Sequence, residues 1–335
     1  MIWTGLFIGC MLLADPIDVW LDVDTANRVG DVDDGLMMIQ CFHSQELRIR
    51  GVSVLFGNTT LEKGMPIAEE IIGKFGPAGL KPMAGAASAD DRGKETDALA
   101  GLAAGLAERP LVILAAGPAT NIATLLERRP DLAGRIRQLI MVAGRRPGQK
   151  FVTSQRQLQP HPDANFEKDV AGMRTILASD VPLVLAPWEV SSHVWLSRGD
   201  LERMRHASPS GEWIASTSQY WINLWAIGID SRGFNPFDTL AAGYLTHPCM
   251  IETMKVRVAI EQDLDDRATP AEKQAGKRKD YLIVRPADGT GREAIYCTKP
   301  VAEFHDLLVD RLAGTKVPPI TDSEKTTSER DASAP

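Results

Sequence analysis

The strongest constraint on the fold is an alternation. Strand-length apolar runs recur along the chain, each closed by a polar turn and followed by a helical segment. Ile17 to Leu21 (IDVWL) reads as a buried strand that ends in an acidic loop, and Gly35 to Cys41 continues as an apolar helix. Arg48 to Leu55 is a second strand, Phe56-Gly57-Asn58 a turn, and Leu61 to Phe75 a helix. An Ala-rich helical stretch over 95–108 precedes the strand Leu111 to Ala115, the turn Gly117-Pro118 and the helix Asn121 to Arg128. Gln138 to Val142 and Pro182 to Leu185 are further strands. Such alternation predicts an α/β fold with a mainly parallel sheet flanked by helices. The chain has 335 residues, 44% hydrophobic, with no internal repeat and no Pro-, Gly- or Ser-rich linker before the C-terminus. A single domain over 15–315 is therefore expected, with a polar, aperiodic tail at 316–335 read as disordered.

In parallel sheets ligands collect outside the carboxyl ends of the strands. Three polar turns fall at such ends: Asp22–Asp34, Gly57-Asn58 and Ala116-Gly117. The first, DVDTANRVGDVDD, holds five aspartates in thirteen residues. Carboxylates so crowded repel one another, and some take up protons unless a cation compensates. A hard divalent ion with oxygen ligands does this, and calcium tolerates irregular ligation better than magnesium. The bland alternative is a solvated loop whose Asp33 and Asp34 cap the helix that follows. Two rival motifs fit poorly. An aspartyl-phosphatase of the haloacid dehalogenase type, with Asp22 as nucleophile, wants Thr or Val where Ala26 stands. An EF-hand loop wants Asp or Asn at Ala26, Gly at Asn27, and a preceding helix rather than a strand.

The net charge of −7 argues against a nucleic-acid partner. Cys10, Cys41, Cys249 and Cys297 are scattered and form no CxxC pair, so neither a zinc site nor a disulfide framework is indicated. Gly5 to Ala14 is an apolar run of signal-peptide size, too short for the roughly twenty residues of a membrane span. It lacks a basic flank and a small-x-small cleavage site, so residues 1–14 read as a leader remnant with only a lean towards export over a cytoplasmic location.

Six segments in order resemble the inosine/uridine-type nucleoside hydrolases. Asp22-Val23-Asp24 followed by Asp33-Asp34 is similar to the family's D-x-D-P-G-x-D-D, with a longer spacer. Gly51 to Asn58 (GVSVLFGN) resembles its second strand and G-N turn, and Ala116 to Ala123 (AGPATNIA) its G-P-L-T-N-I-A turn. Leu139 to Gly144 is similar to a strand ending in G-G, Asp163-Ala164-Asn165 with Asp169 to E-F-N-x-x-x-D, and Pro236 to Thr239 with Gly243-Tyr244 to the H-D-A segment. The resemblance implies calcium held by Asp24, Asp34, the Ala116 carbonyl and Asp238, with Asp24 also the general base toward a calcium-held water. It implies Asp33, Asn58, Asp163 and Asn165 at the ribose hydroxyls, Asp22 and Asp31 behind them, and a homo-oligomer. The implied reaction is hydrolysis of the N-glycosidic bond of a ribonucleoside or related N-riboside to free base and ribose.

This chain departs from that pattern in three places. The Asp24–Asp33 spacer is longer and has Thr25-Ala26 in place of Pro-Gly, Asp163 replaces a glutamate, and Phe237 stands where one branch has a histidine that protonates the leaving base. Phenylalanine donates no proton. Purine-specific relatives instead stack aromatics on the base, and Trp188, Trp195, Trp213, Tyr220, Trp221 and Trp225 are available here. Trp188, Trp221 and Trp225 are expected with Phe237 at the substrate, against the alternative of plain core packing. His161 and His193 are the candidate acids. A non-catalytic nucleoside- or sugar-binding relative is the alternative to an enzyme.

Overall fold

A computed structural model describes residues 15–314. The segments read as a leader remnant (1–14) and as a disordered tail (316–335) lie outside these residues. Nine strands form the main sheet: β1 (Ile17–Val23), β2 (Leu47–Val54), β3 (Pro82–Ala84), β4 (Leu111–Ala115), β5 (Ile136–Met141), β6 (Leu183–Leu185), β9 (Ile251–Leu264), β10 (Arg278–Pro286) and β11 (Arg292–Pro300). A separate pair, β7 (Leu196–Ser197) with β8 (Gly233–Phe234), lies outside that sheet. The order across the main sheet is β10-β9-β11-β6-β5-β4-β1-β2-β3. From β3 to β6, and on to β11, every neighbouring pair is parallel. β9 pairs antiparallel with both β11 and β10.

The parallel half follows the alternation of the sequence. Helices α1 (Asp33–Phe42), α2 (Leu61–Phe75), α3 (Asp97–Glu108) and α4 (Thr120–Arg128) return the chain between its strands. Each covers the sheet with an apolar face. Leu36, Met37, Met38 and Ile39 of α1 are completely buried in one core, and Leu102 and Leu106 of α3 are buried in a second that contains Trp20. These two cores are the two covered faces of a parallel sheet.

The antiparallel extension is the part sequence reading does not anticipate. IETMKVRVAIEQDL over β9 carries charged residues on its solvent side, so no apolar run marks it. Downstream of β5 the chain passes through a long connection to α5 (Ala164–Lys168) and α6 (Val170–Ala178), then β6 and the short α7 (Trp188–Ser191). Helices α8 (Arg198–Arg205), α9 (Pro209–Thr217), α10 (Gln219–Ile229) and α11 (Thr239–Thr246) precede β9, α12 (Pro270–Gln274) sits between β9 and β10, and α13 (Phe304–Leu312) closes the described chain. Among the described residues no helix is long and apolar enough to cross a membrane.

Candidate active site

The carboxyl ends of β1, β2, β4 and β5 open into a cavity of about 540 Å³. β1 delivers Asp22 and, just past its end, Asp24; the loop then returns Asp31 and enters α1 at Asp33 and Asp34. All five carboxyls are pushed above the ordinary aspartate range, with burial the largest cause in each case. Asp22 rises to about 6 and Asp33 to about 7. For Asp34 the charges of Asp24, Asp238 and Asp33 add to burial, and for Asp238 those of Asp33, Asp24 and Asp31 do.

The sequence brings Asp238, at the start of α11, to this point from some two hundred residues away. Oxygens of Asp33, Asp34 and Asp238 lie within 4.8 Å of one another. Asp238 Oδ2 is buried with no hydrogen-bond partner. Mutual repulsion, an unpartnered buried carboxylate oxygen and an all-oxygen donor set fit a hard divalent cation.

Asp24 lies against the same group by a different route. Its backbone N–H donates to Asp34 Oδ1 (3.0 Å), and its two carboxylate oxygens accept from the backbone N–H (2.9 Å) and the side-chain Nδ2 (2.9 Å) of Asn58. Asn58 Nδ2 also reaches Asp34 Oδ2 at 3.3 Å. In this structure Asn58 therefore binds carboxylates as well as lining the cavity. Gly57 is required for that approach, because a Cβ on it would sit 1.7 Å from Asp24 Oδ2. Asp22 points elsewhere: Oδ1 accepts from Asn121 Nδ2 (2.8 Å) and from Ser53 Oγ, and the residue is fully buried and not a lining residue. Its carboxylate is turned to Asn121 and Ser53 rather than to the cavity, so the phosphatase reading has no support in the geometry.

Ala116, Asp163 and Asn165 line the cavity beside Asp33 and Asp238. Asn165 Nδ2 donates to the Ala116 carbonyl (2.5 Å) and to Val142 O (3.2 Å). Asp163 Oδ2 accepts from Gly144 N (2.9 Å); burial pushes its carboxyl up to about 6 against the opposing charge of Arg145.

Aromatic rings form the other end. His161 stacks on Trp225 (centroids 5.4 Å, 22°) and meets Phe237 edge-on at 6.4 Å. Trp225 also contacts Trp221 and Phe237, while Trp188 stacks on Phe151 at 5.1 Å. Trp188, Trp221, Trp225 and Phe237 all line the cavity. Of the other aromatics considered, Trp213 packs edge-on against Phe75 and bonds Glu70, Trp195 packs edge-on against Trp225, and Tyr220 is exposed. His193 is exposed and is not a lining residue. Burial drives His161 down to about 4, with the charge of Arg267 adding to the effect, so its ring is neutral at pH 7. Sequence reading misses Phe151, Lys168 and Arg267 at this cavity, none of which carries a local signal. Gly57 and Asn121 sit inside turns that the sequence marks, but it assigns neither of them a role.

A carboxylate floor on strand ends, with polar walls and an aromatic end, is the arrangement expected of an N-ribosyl hydrolase. The model of the inosine-uridine preferring nucleoside hydrolase family matches residues 19–291. The chain belongs to this family. Its members are metal-dependent enzymes that cleave N-ribosyl bonds, and this nucleoside hydrolase carries an aspartate cluster able to hold a metal. It is 22% identical over 261 residues to the pyrimidine-specific ribonucleoside hydrolase RihB of Escherichia coli O9:H4 (strain HS), covering 68% of this chain and 80% of that one. Two solved structures share the fold at 17% identity. The plant nucleoside hydrolase PpNRh1 aligns with a TM-score of 0.72 over 89% of this chain and 99% of its own. A purine-preferring ribonucleoside hydrolase from Gardnerella vaginalis aligns with a TM-score of 0.70 over 89% and 98%.

Proposed function

We propose that this nucleoside hydrolase is calcium-dependent and cleaves ribosides of planar bases, purine ribosides first among them. The observation that carries the reading is the meeting of Asp238 with Asp33 and Asp34, with oxygens within 4.8 Å, on the floor of a cavity whose far end is aromatic. Irregular all-oxygen ligation favours calcium over magnesium. Asp24, Asp34, Asp238 and the Ala116 carbonyl would hold a divalent cation, which would supply a fixed water of lowered pKa.

The chain's own residues do the rest. Asp24, whose carboxyl is raised by burial, takes the proton of the attacking water. Asp33, Asn58, Asp163 and Asn165 bind the ribose hydroxyls and hold the anomeric carbon in line with that water. The base lies among Trp188, Trp221, Trp225 and Phe237, whose faces complement a planar purine. Attack from one face of the ribose inverts the anomeric carbon, as in inverting glycosidases. The names of the relatives do not choose a base, since one is pyrimidine-specific and another purine-preferring; the preference rests on the aromatic lining. A homo-oligomer and an exported location belong to the same proposal, on family likeness and on the apolar N-terminal run respectively.

The test is a nucleoside panel assayed with calcium, with magnesium and with chelator, reading reducing sugar and the anomer first released. Purine ribosides turning over fastest, calcium restoring activity after chelation and an inverted anomer are the expected results. Tight nucleoside binding without turnover would overturn the catalytic reading.

A further inference from the structure

Phe237 carries no proton, and the neutral His161 ring stacked on Trp225 is a weak donor, so the departing base lacks an acid among the aromatics. A cation stands at the same end. Arg267 lines the cavity, and its charge bears directly on His161. Its Nε is buried without a hydrogen-bond partner, and among the described residues no side chain forms an ion pair with its guanidinium. The carboxylates beside it in sequence are already engaged. Asp266 pairs with Arg145 (2.8 Å) and Lys279 (3.0 Å), and Asp265 with Lys277 (3.5 Å) and Lys279 (3.9 Å). The connection is also fixed: the Tyr281 hydroxyl accepts from Asp266 N and donates to Leu264 O, both at 2.8 Å. A guanidinium carried on a fixed connection, partly desolvated and left without a counter-charge, is costly unless a ligand completes it.

We propose that Arg267 is a catalytic residue that stabilises the base as it departs in anionic form. This rests on the N-riboside reading of the same cavity. In the step, the C1′–N bond breaks and its electron pair passes to the base nitrogen. The water oxygen bonds to C1′ and its proton goes to Asp24. The base anion is met by the Arg267 guanidinium and then takes a proton from solvent, while Asp24 returns its own to solvent; riboside and water give ribose and base. A fixed donor aimed where charge develops needs no reorganisation during reaction, and loss of one such donor costs roughly 10²–10³-fold in kcat.

The experiment compares Arg267→Met with the parent chain on a purine nucleoside and on p-nitrophenyl riboside, whose phenolate leaves readily unaided. A loss of roughly 10²-fold on the nucleoside and under about threefold on the p-nitrophenyl riboside is expected, with Arg267→Lys between. Guanidinium added to Arg267→Ala restores nucleoside turnover selectively. Unchanged calcium-induced stabilisation of each variant shows that it folds. Equal losses on both substrates, or no loss on either, overturn the role of Arg267 and leave the N-riboside reading intact. Failure of the parent chain to cleave either compound overturns both.

Discussion

The carboxylate end of the cavity grows out of strand ends and helix starts, whereas its aromatic end is gathered from long connections and a distant helix. Asp24 follows β1, Asn58 follows β2, Ala116 follows β4, and Asp34 and Asp238 sit at the starts of α1 and α11. Asp24, Asn58, Ala116 and Asp34 are positioned by backbone that the main sheet already fixes, whereas Asp238 reaches them from the connection after β8, which lies outside that sheet. His161 comes from the connection after β5, Trp225 from α10, Phe237 from the segment before α11 and Arg267 from the connection after β9. The first end is rigid and charged, so its residues should govern whether reaction occurs. The second is a packed surface and should govern which base leaves and how fast.

The sharpest way to break that division is Asp24→Asn. With Asp24 proposed as the general base, its loss should lower kcat by about 10³-fold or more on every nucleoside, whatever its base. The variant should stay folded by circular dichroism, and without metal it should melt no lower than the parent, because one charge has left a mutually repelling group. Turnover within tenfold of the parent would remove Asp24 as the base. Gly57→Ala tests the backbone behind it. Its Cβ would sit 1.7 Å from Asp24 Oδ2, so the carboxylate must move, and roughly 10²-fold should be lost in kcat with the fold intact. Gly73→Ala in α2 is the matched control. Nothing lies within 4 Å of a Cβ there, so it should raise stability by about 0.5–1 kcal/mol and leave activity alone.

The same division explains what could be read from the sequence. Strand-end turns are short and keep their residue types adjacent, so Asp22–Asp34, Gly57-Asn58 and Ala116-Gly117 point to one rim before any coordinates exist. The parallel strands are apolar on both faces and stand out as runs; Leu111–Ala115 and the helix Leu61–Phe75 match the structure end to end. β9 is half solvent-facing and its charged residues hide it, and in β10 only the short buried run Tyr281–Val284 is apolar between charged ends. The aromatic end is harder for a different reason. Trp221 and Trp225 are expected at the substrate and line the cavity, and Trp213 on the neighbouring helix packs on Phe75 instead, but nothing in the sequence pairs Trp225 with His161 or Trp188 with Phe151. Arg267 has no sequence signal at all, since its significance lies in the engagement of its neighbours elsewhere.

A smaller effect is expected at Phe237. Its ring meets Trp225 at 6.0 Å and His161 at 6.4 Å, and an offset or edge-on aromatic pair contributes about 0.5–1.5 kcal/mol beyond its buried area. Phe237→Ala should therefore lower kcat/KM for purine ribosides by about tenfold, and Phe237→Trp should keep most of it. Calcium-induced stabilisation should be unaffected by either. If Phe237→Ala instead weakens calcium stabilisation as much as Asp238→Asn does, the two ends are not separable and the comparison fails.

The smallest expected effect is a pH dependence of stability carried by His161. Its folded pKa, about 4, lies below the unfolded value near 6.5, with burial the main cause and the Arg267 charge the lesser. The unfolded chain therefore binds more protons at this position between those two values. Stability must fall as pH drops from about 6.5 towards 4, and this contribution is fully present above 6.5. His161→Gln removes the group from both states and abolishes that slope. It also removes the stack on Trp225, which lowers the melting temperature by the same amount at every pH. The readout is accordingly the difference between parent and variant. Relative to pH 7, that difference should shift by about 2–5 °C in the variant's favour at pH 5. Arg267→Met should reproduce only a minor part of the shift. A parallel pair of melting curves across pH 4–7 would mean that the His161 ring is already solvated, and the aromatic end would then be too open to hold a base dry.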